Sequence, residues 1–214
     1  MKRKFLGTIL ILVGSLALAA AAGLLIFILS QEYNADHLAQ SVLANLREPT
    51  AEPSENEDAT EESQDFEDLV ELPDYILYPE KELPEREIDG RSYVGILTIP
   101  SLELELPILN QWSDKGARVA PCRYMGTPYN DSMILGAHNY TVHFGKLSLL
   151  KTGALITFED MDGNVFSYEA VSFEVIGGNE GDVLRGGQWD MTLFTCTLSG
   201  QSRFVVRCEK ISEN

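Results

Sequence analysis

The segment MTLFTC, TLSGQS, RFVVRC, residues 191–208, consists of two strand-forming runs on either side of a polar loop. Both runs are rich in the β-branched, aromatic and aliphatic residues that favour strands. The segment therefore predicts a β-hairpin in which Cys196 ends the first strand and Arg203 begins the second.

Upstream of this hairpin, short apolar runs recur between turns that contain Gly, Pro, Asn or Asp. Asp162-Gly163-Asn164 is a strong hairpin turn, and residues 143–150 have apolar positions spaced for one face of a short helix. Many short strands with little helix predict an all-β domain, a closed or nearly closed antiparallel barrel of about seven or eight strands. The other predicted strands are residues 93–99, 104–108, 132–136, 155–159 and 165–176.

Residues 5–29 contain no charged side chain, and about 20 apolar residues are enough to cross a bilayer as a helix. Residues 2–4 are basic, whereas residues 31–36 carry acids and no base. The positive-inside bias therefore predicts a single-pass anchor in the cell membrane, with the N-terminus in the cytoplasm and the rest of the chain outside. A cleaved signal peptide is the alternative, because Ala17-Leu18-Ala19 resembles a cleavage site, but the apolar run continues beyond it.

From Glu48 to Glu80 there is no Lys or Arg, while Glu, Asp, Pro, Ser and Thr dominate. This composition predicts a disordered, self-repelling stalk, and residues 35–47 have a loose helical period that predicts a short juxtamembrane helix. The formal net charge of -17 argues against a nucleic-acid partner. The predicted organisation is a basic N-terminus (1–4), a transmembrane signal-anchor helix (5–29), a juxtamembrane segment with the acidic linker (30–86) and a β-barrel domain (87–214).

Cys196 stands at the end of a predicted strand, where a thiol projects into accessible space and nearby cations raise its thiolate fraction. A thiolate there is a nucleophile, although a cysteine beside an apolar run also suits a buried core position. The chain has three cysteines, so one thiol stays free even if Cys122 and Cys208 pair. We expect no disulfide, since free cysteines are commonly buried.

His138 follows the predicted strand 132–136 and heads the turn Asn139-Tyr140, so its imidazole lies at a strand end. Its unperturbed pKa lies near the working pH range, which suits the protonation of a leaving amine. The alternative is a surface or hydrogen-bonded histidine without a role. That interpretation suits His143 better, and His37 lies outside the barrel domain.

Arg203 begins the last predicted strand, across the polar loop from Cys196. Its planar, permanently charged fork is suited to hold a peptide carbonyl and to stabilise the oxyanion that forms when a thiolate attacks it. Arg207 is the alternative, because side chains alternate along a strand and the two arginines share a face. Arg203, however, lies nearer the loop.

These residues resemble the motifs of one family. TLFTC, residues 192–196, resembles the Thr-Leu-x-Thr-Cys signature of sortases, with Arg203 opening the following strand. GAHNY, residues 136–140, is similar to the sortase histidine turn. GILTIP at residues 95–100 and LPI at residues 106–108 are similar to the family's opening strands, so the resemblance extends over essentially the whole predicted barrel.

The resemblance implies a closed eight-stranded sortase-like β-barrel with one or two short helices, and a cysteine transpeptidase without metal or organic cofactor. Cys196 would attack the Thr carbonyl of an LPXTG-like sorting signal. His138 would act as general acid and then as general base, and Arg203 would stabilise the substrate and the oxyanion. The implied partners are surface or pilin proteins with a C-terminal sorting signal, and an amine of a peptidoglycan precursor or a pilin lysine.

The resemblance also concerns the subclass. The stretch 176–190, which would border the substrate groove, is short and lacks the long helical insertion of class B enzymes. Pro73-Asp74-Tyr75 does not have the order of the Asp-Pro-aromatic lid motif of pilin-polymerising sortases. The chain therefore resembles class C or D more than class A or B. The implied groove residues are Thr195, Val183, Leu184 and Trp189.

Two other functions use the same sequence features. A cysteine hydrolase would employ the same three residues with water as the acceptor, and the acceptor is not encoded in them. A membrane-anchored β-barrel binding module would do no chemistry, and Cys196 would then tolerate replacement by Ser or Ala. The convergence of a nucleophile, an acid and an oxyanion donor on one rim favours the enzyme.

Overall fold

The computed structural model describes residues 2–47 and 73–212, and the predictions made for residues 48–72 of the acidic linker lie outside the described residues. Short 3-10 turns join the longer elements. In the described ranges the helices are α1 (Lys2–Arg47), α2 (Asp74–Leu77) and α3 (Gly181–Arg185), and the strands are β1 (Arg86–Ile88), β2 (Arg91–Ile99), β3 (Leu104–Leu109), β4 (Cys122–Met125), β5 (Met133–Ala137), β6 (Leu155–Asp160), β7 (Val165–Gly177), β8 (Met191–Cys196) and β9 (Ser202–Lys210).

The strands form one closed β-barrel. Eight strands of the described chain follow one another in the order β2-β3-β4-β5-β8-β9-β7-β6, and pairing of β6 with β2 closes the ring. Strand β1 pairs only with the start of β2. The predicted closed eight-stranded barrel with little helix is therefore confirmed.

The prediction of an antiparallel barrel was wrong for two strand pairs. β3 and β4 are parallel, and so are β5 and β8. Parallel neighbours need a long crossover, and the chain between β5 and β8 passes through β6, β7 and α3 before it returns. The barrel is mixed because of these two connections.

Two strands were absent from the prediction, β1 and β4. β4 has four residues, and its pairing with β5 shifts register between Arg123 and Met125. A run this short and irregular carries too little apolar periodicity to predict a strand.

The barrel interior is a continuous apolar core. Leu97, Leu135, Leu193 and Val206 are fully buried, and they come from β2, β5, β8 and β9. A slip of one residue would turn such side chains toward solvent, so the core holds each strand in register. That register determines which side chains meet where the strands end.

The two ends of the barrel differ in character. At the Cys196 end, β8 stops at Cys196 and β9 begins at Ser202. At the opposite end, here called the Tyr129 end, Tyr129 precedes β5 and donates a 2.7 Å hydrogen bond from its hydroxyl to Asp160. Tyr75 of α2 stacks on Tyr129 with ring centroids 5.1 Å apart, so this segment covers the Tyr129 end.

Helix α1 is long and apolar enough to cross a membrane, and it continues without a break to Arg47. Residues 35–47 are helical as predicted, but they extend α1 rather than forming a separate helix. Their buried face packs against the outside of the barrel. This face is made by Ala35, Ala39, Val42 and Leu46, which recur at helical spacing.

Candidate active site

Three strand ends bring Cys196, His138 and Arg203 together. In the parallel pair β5–β8, Ala137 lies opposite Thr195, so His138 and Cys196 leave their strands at the same edge. In the antiparallel pair β8–β9, Cys196 lies directly opposite Arg203. The parallel pairing is therefore what brings the histidine turn beside the cysteine.

Cys196 is partly exposed and lines a cavity of about 420 Å³ at the Cys196 end. All three cysteines are free, but Cys122 and Cys208 are fully buried. Burial raises the pKa of Cys122 to about 11 and that of Cys208 to about 12, so both stay as neutral thiols. Cys196 is the accessible thiol of the three.

His138 has a partly buried ring that stacks on Tyr140, with centroids 5.5 Å apart. Its Nε2 is buried and has no hydrogen-bond partner among the described residues. Burial lowers the pKa of His138, and the positive charge of Arg118 lowers it further, against an opposing effect of Asp114. The ring is therefore favoured in its neutral form, with a nitrogen free to take or give a proton.

His143 was expected at the surface or hydrogen-bonded, and the surface position was wrong. Its ring is fully buried, and neither nitrogen has a partner in the described part of the chain. Burial lowers its pKa to about 4, with a smaller lowering by His138. The turn around it is tight, because a Cβ on Gly145 would lie 2.5 Å from the carbonyl oxygen of Asn139, and the His143 ring lies beside Tyr140 with centroids 5.6 Å apart.

Arg203 is partly buried and donates a hydrogen bond from Nη1 to the carbonyl oxygen of Gly178. Arg207, the alternative, lies opposite Thr192, four residues farther from the Cys196 end. Its side chain is 3% exposed and is bonded by Nε to Glu174 at 2.7 Å. It also donates to the main-chain oxygens of Val183 and Leu184, so Arg207 holds α3 against the barrel.

The predicted groove residues fall into two places. Thr195 lines the Cys196 cavity, and its hydroxyl donates a 3.0 Å bond to the carbonyl oxygen of Ala137. Leu184 and Trp189 line a separate cavity of about 320 Å³ together with Arg207. The structure does not bring these two residues to the cysteine, nor Val183, which lies on α3 outside the Cys196 cavity.

The rest of the Cys196 cavity was missed by the sequence reasoning. Its wall comes from the histidine turn, the following 3-10 turn, the β8–β9 loop and the start of β9. Proximity in sequence to His138 and Cys196 was the available signal for several of these residues. They are Asn139, Gly145, Ser148, Thr197, Leu198, Ser199 and Phe204.

The fold and the site together define the class of protein: a closed mixed β-barrel with a cysteine, a histidine and an arginine at neighbouring strand ends. Residues 97–211 match the family model of the sortase domain. This match covers more than half of the chain, and the chain belongs to the sortase family.

Individual relatives agree with the family. Sortase A of Bacillus anthracis is 27% identical over 136 residues, which cover 58% of this chain and 63% of that protein. The chain thus spans just under two thirds of the length of this relative.

Solved structures of sortases share the fold. Sortase A from Corynebacterium diphtheriae superposes with a TM-score of 0.53 at 20% identity, over 58% of this chain and 63% of that one. Sortase C1 from Streptococcus agalactiae superposes with a TM-score of 0.53 at 23% identity, over 60% of this chain and 72% of that one.

Proposed function

We propose that this chain is a membrane-anchored cysteine transpeptidase. It cleaves an LPXTG-like sorting signal between Thr and Gly through an acyl-enzyme on Cys196, and it transfers the acyl group to an amine of the cell wall or of a pilin. The observation that carries the proposal is the strand register, which sets Cys196 opposite Arg203 and beside the His138 turn. Membership of the sortase family supports the same chemistry.

In the first half-reaction, the thiol of Cys196 gives its proton to the neutral ring of His138 and its sulfur attacks the Thr carbonyl carbon. The imidazolium of His138 then protonates the nitrogen of the departing Gly as the C–N bond breaks, which leaves a thioester. The lowered pKa of His138 supports a neutral resting ring that can accept this proton.

In the second half-reaction, the acceptor amine attacks the thioester and His138 takes the proton that the amine loses. The C–S bond breaks, and the proton returns to the sulfur of Cys196. Two acyl transfers replace one difficult exchange of amines, as in other covalent mechanisms. The polar wall formed by Asn139, Ser148 and Ser199 supports binding of an extended peptide.

Arg203 stabilises the oxyanion that develops on the Thr carbonyl in both steps. Its contact with the Gly178 carbonyl oxygen fixes part of the guanidinium, and the other N–H groups are available to the substrate. Removal of one oxyanion donor typically lowers turnover by about 10²–10³.

The anchor is α1, and the barrel acts outside the cell membrane. The basic residues 2–4 before the apolar run support a cytoplasmic N-terminus. The partners follow from the chemistry: a surface or pilin protein with a C-terminal sorting signal, and a primary amine of a peptidoglycan precursor or a pilin lysine.

Mass spectrometry of the full chain in detergent micelles, incubated with LPXTG-type peptides and a panel of amines, tests this function. We expect a covalent acyl adduct on Cys196 that an amine resolves. The Cys196→Ala variant should lose the adduct and several orders of magnitude of turnover, whereas Cys122→Ala, a buried thiol, should keep both. Release by water even at high amine concentration would make the protein a hydrolase. No adduct with any peptide would favour a binding module.

A further inference from the structure

Helix α1 joins the membrane and the barrel without a hinge. It is one helix from Lys2 to Arg47, and the side chains of residues 11–29 are exposed in the structure. The packed face begins a few residues later, at Ala35. Because the same rigid helix forms the membrane span and packs against the barrel, the direction of the span fixes the orientation of the barrel.

Contacts along α1 show which end of the barrel is nearer the span. Glu32, three residues or about 5 Å beyond Leu29, accepts a 3.2 Å hydrogen bond from the main-chain N–H of Thr141. Thr141 belongs to the turn between His138 and His143. The span-proximal contact of the helix is therefore made with the Cys196 end.

The far end of α1 meets the opposite end of the barrel. Leu46 and Arg47 line a cavity of about 640 Å³ with Asp160, the residue that Tyr129 binds. The main-chain oxygen of Leu46 also accepts a 2.8 Å bond from Arg86. Between Glu32 and Leu46 the helix rises about 20 Å, so it lies along the barrel from the Cys196 end to the Tyr129 end.

An apolar side chain is exposed where the bilayer would be. Leu198, in the β8–β9 loop, is 98% exposed and lines the Cys196 cavity with Asn139. Asn139 is two residues from Thr141, which contacts the first turn of α1 beyond the span. A fully exposed leucine gains free energy when it enters the bilayer interface.

We propose that the Cys196 end rests on the outer surface of the bilayer, with Leu198 in the lipid interface. This inference depends on the proposed function only for the use of α1 as an anchor. Arg47, before residues 48–72, and Tyr75, after them, both lie against the barrel, so the length of the intervening segment does not set the distance from the membrane to Cys196. The mouth of the Cys196 cavity then opens along the membrane surface, and a peptide reaches the thiol where it lies close to lipid.

Depth-dependent fluorescence quenching tests this orientation. The full chain carries Cys196→Ala, so that Leu198→Cys offers the accessible thiol for a maleimide of the dye NBD, while Cys122 and Cys208 are fully buried. The matched control is Val165→Cys, 59% exposed at the start of β7 near the Tyr129 end. Both proteins are reconstituted in phosphatidylcholine vesicles that contain phosphatidylglycerol and a lipid with a doxyl quencher near its headgroup.

We expect several-fold stronger quenching, and a blue-shifted emission, for the dye at position 198 than at position 165. A flexible Gly-Ser insertion between Ser30 and Gln31 should reduce quenching at 198 to the level of the control, because the helix is then no longer rigid. Equal quenching at the two positions, or quenching at 198 that survives the insertion, overturns the inference.

The outcome is separate from that of the enzyme proposal. These labelled chains lack Cys196, so quenching reports orientation without any turnover. Flotation of the vesicles shows whether the chain is anchored, and a chain that does not float overturns both the anchor and the orientation. Peptide cleavage by the Cys196-containing chain in micelles tests the chemistry without a bilayer.

Discussion

The two arginines of β9 share a strand and a face, yet their surroundings differ. Arg207 is 3% exposed and binds Glu174, Thr192 and two main-chain oxygens. Arg203 is partly exposed and binds Gly178. Arg207 therefore makes four hydrogen bonds within the protein and supports the fold, whereas an arginine with more N–H groups to spare can bind a substrate.

The two ends of the barrel also differ in how completely their polar groups are hydrogen-bonded. At the Tyr129 end, Asp160 accepts hydrogen bonds from Tyr129, from Asn164 and from the main chain of Asp162. At the Cys196 end, a ring nitrogen of His138 and both of His143 lack partners among the described residues. The hydroxyl of Tyr168, near Asp131 and Asp190, is the fourth buried polar atom without a partner in the described residues. Unsatisfied buried groups lower stability, and three of these four atoms belong to the two histidines of the Cys196 end.

After Cys196→Ala, the largest effect should come from Arg203→Lys. Lysine keeps the charge but lacks the planar fork, so we expect kcat/KM for peptide cleavage to fall about 10²–10³-fold. The free energy of unfolding should change by less than about 0.5 kcal/mol. Arg185→Lys, on the exposed surface of α3, is the matched control and should keep full activity. Wild-type kinetics for Arg203→Lys would show that the guanidinium of Arg203 does not stabilise the oxyanion.

Arg207→Met should act on stability instead. Loss of a buried charge partner typically costs about 3–5 kcal/mol, and we expect about 3 kcal/mol because its partner Glu174 is 37% exposed. Urea unfolding of the full chain in micelles measures it. Glu174→Gln leaves the buried charge of Arg207 without its carboxylate, although the arginine keeps its three other acceptors, so we expect a loss of up to about 3 kcal/mol there too. A wild-type free energy of unfolding for Arg207→Met would show that Arg207 does not hold α3.

Protonation of His143 should lower the free energy of unfolding by an amount similar to that expected for Arg207→Met. Its folded pKa of about 4 lies below the value of about 6.5 in an unfolded chain. As pH falls from about 6.5 to about 4, the unfolded chain binds a proton that the folded chain does not, so the free energy of unfolding declines by roughly 3 kcal/mol. Above this window the group contributes nothing.

The facing charges of His143 have both signs: His138 lowers its pKa further, whereas Asp36 and Glu32 of α1 raise it. His143→Phe removes the titration and keeps a buried ring. As the pH falls from about 6.5 to about 4, the free energy of unfolding should therefore decline less for the variant than for the wild type, by roughly 3 kcal/mol. A constant difference between the two proteins would show that His143 is not the titrating group.

Local pattern was enough for part of this molecule. The hairpin of β8 and β9 was predicted from adjacent runs, and it carries the Cys196–Arg203 pair. The neighbouring position of His138 depends on a parallel pairing across a long crossover, which no local periodicity encodes. The motif resemblance, rather than strand pattern, therefore linked His138 to Cys196.

Burial and loop geometry were beyond the sequence. His143 stands between Val142 and Phe144 in sequence, and only the folded structure shows that its ring is fully buried beside Tyr140. Leu184 and Trp189 were assigned to a groove by their place in the stretch between β7 and β8, but both line another cavity, together with Arg207, which donates to the main-chain oxygen of Leu184. Long-range hydrogen bonds of this kind leave no periodic trace.

The smallest effect should come from Tyr129→Phe, which removes one hydrogen bond from the satisfied end. Asp160 is 4% exposed and keeps its three bonds from Asp162 and Asn164, so we expect a loss of only about 1 kcal/mol in the free energy of unfolding. Peptide cleavage should be unchanged, because Tyr129 lies at the end opposite Cys196. Tyr75→Phe keeps the ring stack and should lose less than Tyr129→Phe in the same urea titration. A drop in turnover for Tyr129→Phe at unchanged stability would mean that the two ends are coupled, and the division of the barrel into a supporting end and a reacting end would fail.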